Sequence, residues 1–195
     1  PSSEQQGLAV TRVSMQTAIG GGLILKNPVL TASGTSGYGL ELEEFFDLSR
    51  LGGIVVKGLS PHPRAGNPPV RIVETPAGML NAIGLQNIGV RIFVDERLPL
   101  LRTKGTAIIA NIFGESLEEY REVAETLASA EGIAAVEVNL SCPNTARGGM
   151  VFGTDPKGVE EVTRTVKRAS RVPVIVKLTP NVTDVVEIAR AAVAG

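Results

Sequence analysis

Short strand-forming apolar runs alternate with stretches of helical period along most of this chain, and that alternation restricts its fold more than any other feature. The runs are Val29-Leu30-Thr31-Ala32, Gly53-Ile54-Val55-Val56, Thr106 to Ala110, Ala134 to Val138 and Val172 to Val176. Most are apolar on both faces, as parallel strands covered by helices are. Between them, Ser116 and Glu119 form a capping box ahead of the stripe Leu117, Tyr120, Ala124 and Leu127. Asp155-Pro156 makes an N-cap and first-turn pair ahead of Val159, Val162, Val166 and Ala169. Further helices are expected over Leu42–Arg50, Ile88–Leu98 and Thr183–Val193. Five β-then-α units in series predict an α/β fold with a parallel sheet, either doubly wound or a (β/α)₈ barrel. Ahead of them, Leu8–Ser14 and Leu23–Leu25 flank Gly20-Gly21-Gly22 and predict an N-terminal β-hairpin within 8–26.

The 195 residues are enough for one core, since a chain of this size buries roughly 70% of its unfolded surface. Nineteen Lys and Arg against 20 Asp and Glu leave a formal net charge of −1, which argues against a nucleic-acid binder. One cysteine excludes an internal disulfide framework and a cysteine-held metal cluster. No apolar run nears the ~18 residues of a membrane span. Pro1-Ser2-Ser3-Glu4-Gln5-Gln6 lacks a signal-peptide pattern. A cytoplasmic protein in a reducing compartment is the expectation.

The residue after each apolar run is polar: Ser33, Lys57, Asn111, Asn139 and Lys177. Parallel α/β folds put strand C-termini on one face, where ligand and catalytic sites lie. Two lysines among these residues point to an anionic or electron-rich ligand. From Leu59 to Asn87 the chain carries five prolines and no helical stripe, and loops this long are usually functional. Met79, Leu80, Ile83 and Leu85 within it predict an ordered, packed loop. At the exit of the fourth run lies Asn139-Leu140-Ser141-Cys142-Pro143-Asn144. A thiol titrates at about 8.5, so cationic neighbours would make Cys142 a competent base near neutrality. His62, the single histidine, lies between prolines and reads as a solvated loop residue, so no His–Asp pair serves a protease-type nucleophile. Ala32-Ser33-Gly34-Thr35-Ser36-Gly37 does not match the dinucleotide-binding spacing, and Gly148-Gly149 reads as a loop over the site or an ordinary turn.

Three pieces make the chain recognisable: Gly66-Asn67-Pro68-Pro69, Asn81-Ala82-Ile83-Gly84-Leu85-Gln86-Asn87, and Asn139 to Asn144. From about Leu8 onward the sequence resembles the class 1 dihydroorotate dehydrogenases, and within them the 1B, NAD-linked branch. The resemblance implies a (β/α)₈ TIM barrel carrying FMN, which oxidises dihydroorotate to orotate in pyrimidine biosynthesis. It implies that Cys142 removes the C5 proton while hydride passes from C6 to the flavin. By the same resemblance, Ala32, Ser33, Lys57, Gly58, Asn111, Asn139 and Lys177 hold the cofactor. Lys57, Asn81, Ala82, Ile83, Gly84, Leu85, Asn139 and Asn144 hold the substrate. Implied partners are a second catalytic subunit and an electron-transfer subunit with FAD and a 2Fe–2S cluster.

Gly58 departs from the family, where many members carry a hydroxyl residue. Length departs too, because a barrel takes ~250 residues. Five units therefore read as the N-terminal portion of a single barrel domain over 1–195. Two other readings are a pyrimidine-reducing relative such as dihydropyrimidine dehydrogenase and an inactive half-barrel that serves as an interaction unit. Asn144, rather than histidine, favours the orotate branch.

Overall fold

A computed structural model of the chain describes residues 13–141 and 152–195. Four strands form one parallel sheet: β3 (Gly53–Val55), β6 (Ala107–Ile112), β7 (Ala135–Asn139) and β8 (Val174–Lys177), in that spatial order. Each neighbouring pair is joined through helical segments, as parallel neighbours require. Between β3 and β6 run α1 (Val90–Ile92), a wider π-type turn (Phe93–Arg97) and α2 (Leu98–Leu101). Helix α3 (Leu117–Ala128) links β6 to β7, and α4 (Pro156–Ala169) links β7 to β8. Helix α5 (Val185–Ala194) follows β8.

Helix starts follow the sequence closely. The Ser116 hydroxyl accepts from Glu119 N at 3.2 Å, and Asp155 accepts from Gly158 N at 2.9 Å with Pro156 in the first turn. Asp184 caps α5 by accepting from Val186 N at 2.8 Å. Each cap satisfies an N–H that the helix itself leaves open.

Strand alternation divides the apolar residues into two layers. One side of the sheet (Ile54 and Val56; Ile108, Ala110 and Ile112; Val136 and Val138) packs against helix residues such as Val123, Leu127, Val159, Val162 and Val166. On the other side, Val55, Ile109, Ala135 and Ile175 form a smaller cluster. That cluster is closed by the antiparallel hairpin of β1 (Thr17–Gly20) and β2 (Leu23–Leu25), which inserts Leu23 and Leu25.

Several expectations are corrected. The first hairpin strand is Thr17–Gly20 rather than Leu8–Ser14; Val13 and Ser14 are outside any strand, and residues 8–12 lie outside the described ones. Val29–Ala32 is not a strand but a single parallel bridge, Leu30 to Gly53. The cause is Thr31, whose hydroxyl accepts from Val55 N at 3.0 Å and takes the place of a backbone rung. Leu42–Arg50 is not one helix but two 3₁₀ turns, Leu40–Glu44 and Leu48–Arg50. Asp47 separates them, since its carboxylate accepts from Ser49 N at 2.8 Å and starts a new turn. The Leu59–Asn87 segment contains a second antiparallel hairpin, β4 (Ile72–Thr75) with β5 (Gly78–Asn81). Met79 and Leu80 are 60% and 67% exposed there, so they pack no loop core; Ile83 and Leu85 are half-buried.

Leu25 is 1% exposed whereas Ile24, its neighbour in β2, is 65% exposed. Leu25→Ala is expected to cost about 2–5 kcal/mol in denaturant titration, against less than about 0.5 kcal/mol for Ile24→Ala. Tyr38 accepts from Ile88 N at 3.0 Å. Burial raises its hydroxyl above the ordinary phenol range, with the Ile88 N–H pulling the other way. The folded chain therefore keeps this proton longer than the unfolded one. Its stability is fully present below about pH 10 and falls as pH rises further. Tyr38→Phe should flatten that alkaline slope in melts at stepped pH, and should cost about 1–2 kcal/mol by orphaning the Ile88 N–H.

Candidate active site

The alternation that places Val55, Ile109, Ala135 and Ile175 on the hairpin side places the next inward residues one layer higher. These are Lys57, Asn111, Glu137 and Lys177, with Asn139 beside them. Register brings them together in rows, because Asn111 lies directly across from Glu137 and Asn139 directly across from Lys177. Above this layer is a cavity of about 580 Å³, a size typical of small-molecule and cofactor sites. Its walls come from the strand ends on one side and from residues 81–86 on the other.

Asn87 fixes the second wall. It is 5% exposed, and its Oδ1 accepts from Gly89 N at 2.8 Å and Ser60 N at 3.3 Å. Its Nδ2 donates to Ser60 Oγ at 2.9 Å and to Leu85 O at 3.0 Å. One carboxamide thus joins both ends of the insertion. Farther in, the Asn67 amide donates to Ala82 O at 2.8 Å, and Arg71 donates to Gln86 Oε1 at 2.6 Å. Arg64 pairs with Glu115 at 2.6 Å and lies 5.2 Å from the Phe113 ring centre, which ties the insertion to the start of α3.

Among the described residues the cavity lining carries Lys57, Arg64 and Lys177 and no carboxylate. Glu115 pairs with Arg64, and the Glu137 carboxylate lies in the same layer as Lys57 and Lys177, bonded to Asn111. Lys177 Nζ donates to Ser33 Oγ at 2.9 Å across 144 residues of sequence. Asn139 Oδ1 accepts from Ser141 N at 3.1 Å and Ser141 Oγ at 2.6 Å, and its Nδ2 has no partner among the described residues. Asn111 is opposite in polarity, with Nδ2 engaged and Oδ1 buried without a partner. Glycines keep the walls thin. A Cβ at Gly34 would meet nothing within 4 Å, and one at Gly58 would come 2.9 Å from Asn111 Oδ1.

Of the residues singled out by sequence, Ser33, Lys57, Gly58, Asn81, Ala82, Ile83, Gly84, Leu85, Asn111, Asn139 and Lys177 all line this cavity. Ala32 does not; it is exposed, and its carbonyl accepts from the Thr35 hydroxyl at 2.7 Å in a local turn. Cys142, Asn144 and Gly148-Gly149 lie outside the described residues, while Ser141, immediately before Cys142, lines the cavity. His62 is exposed, as expected. Sequence reasoning missed Arg64, Phe113 and Glu137. Arg64 had no local signal, because its partners Glu115 and Glu119 lie far along the chain. Among the described residues no group of His, Cys, Asp and Glu could hold a metal ion, and no helix is long and apolar enough to cross a membrane.

The family model for dihydroorotate dehydrogenase matches residues 15–195. The chain belongs to that family. It is 56% identical over 172 residues to the dihydroorotate dehydrogenase B (NAD(+)) catalytic subunit of Geotalea daltonii, covering 88% of this chain and 56% of that protein. It is 58% identical over 170 residues to the protein of the same name from Geobacter sulfurreducens, covering 87% of this chain and 56% of the relative. The Alkaliphilus metalliredigens protein of that name is 54% identical over 186 residues, covering 95% and 61%. The chain thus spans somewhat over half the length of these dehydrogenase subunits.

Replacing Asn87 with alanine removes its buried side-chain bonds to Ser60, Leu85 and Gly89. The expected cost is about 2–4 kcal/mol in equilibrium unfolding. Limited proteolysis should then cut within 59–87 first, because those bonds hold the insertion closed.

Proposed function

We propose that this chain carries the FMN- and dihydroorotate-binding face of a dihydroorotate dehydrogenase catalytic subunit, and that its parallel sheet is part of a (β/α)₈ barrel. The observation that carries this reading is the cavity itself. It gathers two lysines and carboxamides of opposite hydrogen-bond polarity, and among the described residues its lining holds no carboxylate. Orotate is an anionic imide, so it presents a carboxylate together with alternating N–H and C=O groups. Lysines and asparagines match those needs.

The residues also fit FMN. The unpartnered Asn111 Oδ1 and the open space beside Gly34 suit a flat, polar-edged ring. Ser33, Lys57, Gly58, Asn111, Asn139 and Lys177 would hold it, while Ala32 would contribute backbone alone. When bound, FMN supplies the two-electron acceptor for the hydride leaving C6. Lys57 binds the substrate carboxylate and keeps that charge near the ring. Asn81, Asn139 and Asn144 pair with the pyrimidine amide edges, and the backbone of Ala82, Ile83, Gly84 and Leu85 completes the wall. Cys142 takes the C5 proton, and Ser141, the residue before it, lines the cavity.

The relatives are named as NAD(+)-linked catalytic subunits. That name supports a second subunit; in the present reading it carries electron transfer with FAD and a 2Fe–2S cluster, and the catalytic subunits pair as a homodimer. Such a partner accounts for NAD⁺ chemistry in a chain that has no dinucleotide-binding fingerprint.

In the intact protein that carries this sequence, Cys142→Ala is expected to abolish dihydroorotate oxidation while the flavin absorbance remains. Near-normal turnover would remove Cys142 from the role of base. Cys142→Ser should retain weak activity whose pH profile moves alkaline, because a hydroxyl is a weaker acid than a thiol. Steady-state rates across pH decide this.

A further inference from the structure

Asn111 is 1% exposed on β6 and shares a register row with Glu137 of β7. Neighbours in one row turn their side chains to the same face, and Asn111 Nδ2 donates to Glu137 Oε1 at 2.6 Å. A carboxylate oxygen only accepts, so this bond decides which end of the carboxamide faces β7. The other end, Oδ1, is buried and has no hydrogen-bond partner among the described residues. Unmatched buried carbonyls are costly and uncommon. This one adjoins the cavity wall, since Asn111 and Gly58 both line the cavity and a Cβ at Gly58 would come 2.9 Å from Oδ1.

Glu137 itself is out of place as a sheet residue. Below it on the same face is buried Ala135, and a half-buried carboxylate above that apolar layer carries a desolvation cost. We propose that Glu137 is a positioning residue that holds Asn111 with Oδ1 turned to the cavity as a fixed acceptor for a ring N–H of the bound flavin. The proposal rests on the FMN reading above. It adds a residue whose effect is exerted through Asn111 rather than on the ligand.

The test is a polarity swap in the intact protein. In Glu137→Gln the introduced amide both donates and accepts, so the Asn111 carboxamide is free to turn over. FMN affinity, measured by fluorescence quenching, should fall roughly five- to tenfold, with the melting temperature of the flavin-free protein little changed. Asn111→Asp alone should bind worse still, because two carboxylates then face each other. Combining Asn111→Asp with Glu137→Gln restores one donor and one acceptor in the pair and again leaves an oxygen toward the cavity. Its affinity should return to within about threefold of wild type, most of the lost hydrogen bond being recovered. Unchanged affinity in Glu137→Gln overturns the proposal, and so does a double variant no better than the single ones.

The side-chain amide of Asn111, followed by NMR in the flavin-free protein, reads orientation directly. A single exchange-protected pair in wild type, broadened or doubled in Glu137→Gln, is expected; the same sharp pair in both overturns the proposal. Failure of the wild type to bind FMN would instead overturn the flavin reading, and the amide signals would still decide whether Glu137 fixes Asn111.

Discussion

Parallel register is the constraint on which the rest of this structure depends. With β3, β6, β7 and β8 aligned, every second side chain is committed to one of two faces, and residues of equal height form rows. Low rows on the inner face are apolar and meet Leu23 and Leu25 from the hairpin. High rows are polar and meet ligand space. A slip of one residue in any strand would exchange the two faces, burying Asn111 or Lys177 under helices and turning valines toward the cavity. The apolar packing therefore stabilises the sheet and also sets the height at which its chemistry occurs.

The insertion between β3 and α1 supplies what the sheet cannot. Strand ends offer cations and amides from one direction only, whereas a flat ligand needs a second wall. Residues 81–86 provide it, held by Asn87 at the base and by Arg64 against Glu115 at the side. The β4–β5 hairpin extends from this wall with Ile72, Val73, Met79 and Leu80 all about half exposed or more. Its apolar residues contribute nothing to the core, unlike those of the first hairpin. Two hairpins of similar length thus differ in whether the sheet has a face for them to cover.

Much of the site was legible in the sequence because polarity changes abruptly where a buried strand ends. Ser33, Lys57, Asn111, Asn139 and Lys177 each follow an apolar run, and all five line the cavity. The 81–85 stretch became legible only through its family resemblance, since a proline-rich loop has no periodicity to read. Glu137 was hidden inside a run counted as strand, where one charge looks like noise until register sets it beside Asn111. Ala32 is outside the cavity lining for a related reason. Its run looked like a strand, but the Thr31 hydroxyl replaces a backbone rung and the chain turns away one residue later. Side-chain substitution for backbone pairing leaves no periodic signature.

The bond from Lys177 to Ser33 joins positions 144 residues apart. Loop-closure entropy makes such a contact among the last a folding chain gains, and the first it gives up when strands begin to separate. Cavity walls built on it are complete only after the intervening units have assembled. A ligand that bridges those walls would bind the finished arrangement alone, and mass action would then pull the assembly toward completion. Occupancy of this cavity and integrity of the sheet are in that sense one equilibrium, observable from either end.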